Sequence, residues 1–129
     1  MRRMYGIPEK LDLTPFIGTT LDYIGLGKYQ IHFVFSGDPR KEKDRVVMAE
    51  GYWEMRDSQS VVIDKATDND DRDNYKIHRL LSLTVAGTKI SPPESFTLVF
   101  NNGWTLTFVD DSSQYETCHI YFGDSEIHI

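Results

Sequence analysis

Residues 95–111 read SFTLVFNNGWTLTFVDD, and the turn inside this stretch decides how the chain folds. Two runs of alternating apolar and polar residues flank Asn101-Asn102-Gly103, which is a β-hairpin signal. The obvious turn is the Asn102-Gly103 pair as a two-residue loop, which would set Phe100 opposite Thr105 and Leu98 opposite Thr107. A three-residue loop instead sets Phe100 opposite Trp104, Leu98 opposite Leu106 and Phe96 opposite Phe108. That register places six large apolar side chains on one face. Because a slip of one residue moves a whole strand to its other face, side-chain parity selects the three-residue loop, with Gly103 in the left-handed conformation of a bulge.

The same alternation runs outward from this hairpin. Residues 29–35 put Tyr29, Ile31, Phe33 and Phe35 on one face. Residues 46–55 put Val47, Ala49, Gly51, Trp53 and Met55 on one face and read as one strand, with Gly51 marking a bulge or close approach. Residues 20–26, 60–64, 84–90, 116–122 and 126–129 complete the strand set. Residues 74–82 are the best helix candidate, capped by Asp73 or Asn74 with Ile77, Leu80 and Leu81 as the apolar face. The expected fold is mainly β (α+β): a curved antiparallel sheet, as a sandwich or a partly open barrel, with that one short helix. A faint echo links LDYIGLG, YQIHFVF and AEGYWEM to LLSLTVAG, FTLVF and WTLTFVDD, which fits two similar β-halves.

The chain has 129 residues, 40% hydrophobic and 26% charged. That is one domain with enough apolar side chain for a core, so residues 1–129 are read as a single β-rich unit. No stretch is apolar for the roughly 18 residues of a membrane span. Basic residues Arg2 and Arg3 are followed by no apolar run of a signal peptide, and the single cysteine, Cys118, forms no internal disulfide. A reducing, cytoplasmic setting is the expectation. Cys118 is read as a small buried apolar residue.

Net charge is −6, with an isoelectric point near 5.1. Residues 1–45 carry eight Lys or Arg against six Asp or Glu; residues 46–129 carry six against 14. Such a surface disfavours nucleic acid and anionic membrane and attracts basic partners.

Catalytic and metal motifs are incomplete. Gly25-Leu26-Gly27-Lys28 lacks the length and following helix of a phosphate loop. The run Asp68, Asp70, Asp71, Asp73 lacks the Gly and the distal Glu of a calcium loop. The four histidines, His32, His78, His119 and His128, show no helical metal spacing. Cys118 and His119 are adjacent on a strand and so point to opposite faces. Asp110, Asp111 and Glu116 follow the hairpin and are the other carboxylates that could meet a partner. No metal or cofactor is expected. The leading reading is a non-enzymatic binding protein whose partner is a basic protein, contacted by Asp68, Asp70, Asp71, Asp73, Asp110, Asp111 and Glu116. The alternative is a small enzyme or small-ligand binder with a carboxylate-lined pocket that adds His78 or His119. A homodimer through a strand edge is a third possibility.

The stretches YGIPEKLDLTPFIGTTLDYIGLGKYQIHFVF, EGYWEMRD and YKIHRLLSLTVAG with PPESFTLVFNNGWTLTFVDDSSQYETCHIYFGD resemble a family of small bacterial cytoplasmic proteins of unknown function. The family carries no catalytic residues to transfer. Small acidic β-rich bacterial proteins of this type are often similar to immunity proteins that neutralise toxins, so the resemblance implies a toxin-binding role by analogy.

Overall fold

A computed structural model describes residues 7–37, 44–66, 74–110, 117–122 and 125–129. Among the described residues, ten strands form two antiparallel five-stranded sheets. They are β1 (Thr20–Leu26), β2 (Ile31–Ser36), β3 (Arg45–Ala49), β4 (Tyr52–Arg56), β5 (Val62–Lys65), β6 (Val85–Ser91), β7 (Ser95–Phe100), β8 (Thr105–Val109), β9 (Cys118–Phe122) and β10 (Ser125–His128). The first sheet runs β1-β2-β3-β9-β10 and the second β5-β4-β8-β7-β6. They pack face to face as a β-sandwich, so the barrel alternative falls away. Phe33 of the first sheet meets Trp53 and Phe108 of the second edge-on, with ring centroids 6.4 and 5.4 Å apart. Edge-to-face contact suits the ring quadrupoles and ties the layers together.

The β7–β8 hairpin has the register that parity selected. Phe96 faces Phe108 and Leu98 faces Leu106. Phe100 donates its N–H to the Trp104 carbonyl at 2.8 Å, and Gly103 donates to the Phe100 carbonyl at 2.9 Å. Gly103 has φ +87°, the conformation the bulge requires. Phe96, Leu98, Phe100, Leu106 and Phe108 are buried, and Trp104 is half-buried at the rim.

Two sequence expectations change. Residues 46–55 are two strands in different sheets, because the chain crosses over at Glu50-Gly51. Both amides donate to the Thr117 carbonyl, at 2.9 and 3.0 Å, so this crossing is fastened to the entry of β9. Parity survives the crossing: Val47, Ala49, Trp53 and Met55 all point into the core. The short helix is a single 3-10 turn, Ile77–Leu80, rather than residues 74–82. Leu81 is already extended (φ −59°, ψ 138°) and Ser82 has φ +75°, which directs the chain away from a helix and alongside β1.

The topology repeats. The meander β1-β2-β3 is followed by the hairpin β4–β5, and β6-β7-β8 by β9–β10. Each hairpin joins the other half's meander, β4 beside β8 and β9 beside β3. The registers correspond: Phe33 faces Val47 as Leu98 faces Leu106, and Ala49 faces Cys118 as Phe108 faces Trp53. The first strands carry the same irregularity, between Leu21 and Tyr23 and between Val85 and Gly87. These strands also meet. Thr20 bridges Thr84, Leu21 donates to the Leu83 carbonyl at 3.0 Å, and Val85 donates to the Thr19 carbonyl at 2.8 Å.

Residues 64 positions apart match around this contact. Phe16 and Leu80 are both fully buried, and Ile17 and Leu81 are both exposed. Gly18 and Ser82 both have positive φ, +89° and +75°. The echo seen in the sequence is therefore structural for YQIHFVF and FTLVF. The counterpart of WTLTF is β3 rather than AEGYWEM.

Candidate functional site

Where the two halves differ, the surface changes. In the first half, residues 7–11 lie beside the end of β6: Ile7 donates its N–H to the Pro93 carbonyl at 3.0 Å, and Ile7 and Leu11 are buried. The positions 64 later, 71–75, read Asp-Arg-Asp-Asn-Tyr; of these, Asn74 and Tyr75 are described, and Tyr75 stands at the position of Leu11. Among the described residues, a cleft of about 230 Å³ lies beside β1, lined by Ile24, Leu26, Tyr75, Ile77, His78 and Leu81. Tyr75 is held from below by the Trp53 ring, 5.1 Å away.

β1 is an edge strand. Its first residues are covered by residues 82–85, and beyond them Tyr23 and Leu26 are 58% and 54% exposed. Tyr29, at the hairpin tip, is 69% exposed, with the Lys28 ammonium 5.3 Å above its ring. On the other side of Leu26 a shallower cleft of about 250 Å³ is lined by Tyr23, Gly25, Leu26, Gly27 and His32. The Tyr23 ring lies against Gly25, 2.9 Å from where a Cβ would stand, so this packing needs the glycine. Exposed Tyr and Leu bordering concave apolar surface is the composition of a protein-contact site. Among the described residues, neither cleft is lined by a carboxylate.

Of the sequence-selected carboxylates, Asp68, Asp70, Asp71, Asp73, Asp111 and Glu116 lie outside the described residues. The described residues that flank the acidic run in sequence are Ala66 and Asn74. Ala66 donates its N–H to the Trp53 carbonyl at 2.9 Å, and Asn74 precedes the cleft residue Tyr75. Asp110 is 9% exposed, and its Oδ1 accepts a hydrogen bond from the Thr117 hydroxyl at 3.2 Å, across the crossing between sheets. Burial pushes the nearby Cys118 thiol well above its ordinary range, with the Asp110 charge adding to the shift. Cys118 is a packed apolar residue at the sheet centre.

The sequence did not reveal a contact between His119 and His128. They face each other across β9 and β10 on the outer side of the first sheet, with Glu50 and Glu126 at either end. The usable signal was Gly123-Asp124 between two alternating runs, since a two-residue loop fixes this register. Among the described residues, no group of three or more His, Cys, Asp or Glu has metal-binding geometry, and no helix is long and apolar enough to cross a membrane.

The chain matches no protein-family model, no curated protein and no solved structure.

Proposed function

We propose that this chain is a non-enzymatic protein-binding domain that docks a basic partner protein at the cleft between β1 and residues 75–81. One observation carries the reading: an apolar cleft lined by Ile24, Leu26, Tyr75, Ile77, His78 and Leu81 adjoins the exposed edge of β1. In sequence, the acidic run 68–73 directly precedes Asn74 and the cleft residue Tyr75. Excess negative charge in residues 46–129 steers a basic surface toward the site, and Leu26, Leu81 and Tyr23 supply apolar anchors. Neutralisation of a basic toxin, acting in the cytoplasm of a bacterium, is the biological form that the family resemblance favours.

The test is retention of proteins from source-cell extract on the immobilised wild-type chain and on two variants, Leu26→Glu with Leu81→Glu, and Asp68, Asp70, Asp71 and Asp73 all to Asn. A basic protein held by the wild type, released by salt and lost from both variants supports the reading. Equal retention on all three, or retention indifferent to salt, overturns it. Each leucine is already part-buried, so losing its contact costs about 1 kcal/mol. The pair then weakens binding by roughly 30-fold.

A further inference from the structure

We infer that His119 and His128 form a two-imidazole site for one late first-row divalent metal ion, of the class Zn²⁺, Ni²⁺ and Cu²⁺. The strand pairing makes the site. Cys118 and Ile129 exchange backbone hydrogen bonds, at 2.8 and 3.1 Å. The next pair, His119 and His128, is therefore a non-hydrogen-bonded pair, the position at which cross-strand side chains stand closest. Their Nδ1 atoms face each other at 2.5 Å. Two nitrogens each about 2.0–2.1 Å from one ion stand roughly 3.3 Å apart in tetrahedral geometry, so a small rotation of the two rings admits the metal.

The outer nitrogens point the same way. His119 Nε2 is 3.5 Å from Glu50 Oε1, and His128 Nε2 is 3.1 Å from Glu126 Oε2. A carboxylate near the far nitrogen is the usual support of a metal-bound histidine: it favours the tautomer with the proton outward, so that the ion displaces the one proton the two Nδ1 atoms share. The fold itself does not need this arrangement. At the corresponding place in the other half, Glu54 faces Lys65, an ordinary pair of opposite charge. The imidazoles supply two ligands and water completes the shell, with a late transition metal favoured over Mg²⁺ or Ca²⁺ by the nitrogen donors. The site lies on the β10 edge, at the far side of the first sheet from the β1 cleft, and is independent of what binds there.

The untagged chain is titrated calorimetrically with ZnCl₂, NiCl₂, CuCl₂ and MgCl₂. The expected result is one ion per chain, Cu²⁺ tightest, Mg²⁺ silent. His119→Asn and His128→Asn each lower the affinity at least about tenfold, His78→Asn leaves it unchanged, and Glu126→Gln lowers it by about tenfold. Histidine ring resonances of the wild-type chain give a second readout that needs no variant. Those of His119 and His128 shift together with Zn²⁺, while those of His32 and His78 hold still. Absence of binding, equal binding by the His119→Asn and His128→Asn chains, or unmoved His119 and His128 rings would mean a proton-sharing pair only and overturn the inference.

Discussion

Replacing Gly103 by alanine tests the hairpin register that organises the second sheet. Two costs arise, and the structure separates them. At φ +87° a Cβ meets its own backbone, which costs a non-glycine residue roughly 1–2 kcal/mol. The new Cβ also stands 3.1 Å from the Ser58 Cβ, tighter than van der Waals contact, and crowding of this kind costs about 1 kcal/mol. Gly103→Ala is thus expected to lower unfolding free energy by roughly 2–3 kcal/mol. Urea titration followed by Trp53 and Trp104 fluorescence measures it. Ser58→Gly removes the crowding partner, so in the double variant about 1 kcal/mol returns and the backbone share stays lost. An unchanged midpoint for Gly103→Ala would refute the left-handed turn and the register built on it.

Three further outcomes follow from the same structure. Gly18→Ala is expected to cost about 1 kcal/mol from backbone strain alone, since no described residue lies within 4 Å of where its Cβ would stand, whereas Ser82→Gly at the matching position is neutral or stabilising in thermal unfolding. Cys118 resists thiol reagents in the native chain at pH 8 and reacts once unfolded; labelling at the rate of a free thiol would contradict its burial. The thiol's native ionisation is raised above 9.0, so its share of stability is complete below that pH and is lost as pH rises further; Cys118→Ala flattens that alkaline decline in urea titrations.

The sheet faces were legible because period-two alternation survives in nearly every strand, and the Asn-Asn-Gly loop was resolved by parity alone. The crossing at Glu50-Gly51 was hidden by the same rule. Val47, Ala49, Trp53 and Met55 keep their alternation through the change of sheet, so one strand and two strands look identical in sequence. The apolar residues Ile77, Leu80 and Leu81 mimic a helical stripe. Only two of them are buried, and the third, Leu81, is a cleft residue matching the exposed Ile17. Asp110 looked like a surface carboxylate because it follows the hairpin beside other acidic residues; in the fold it braces Thr117. The β1 cleft was illegible for another reason. It is formed by residues of β1 and of 75–81, which lie far apart in sequence and meet only once β1 is set against residues 82–85.

The most direct test of the binding site is photo-cross-linking in the source cell. A photoreactive phenylalanine analogue is placed at Leu26 or Leu81, and as control at Val62, which is also exposed but lies on β5, an edge of the other sheet. One basic protein is expected to be joined to the chain from positions 26 and 81 and not from 62. The same adduct from all three positions, or from 62 alone, would contradict it.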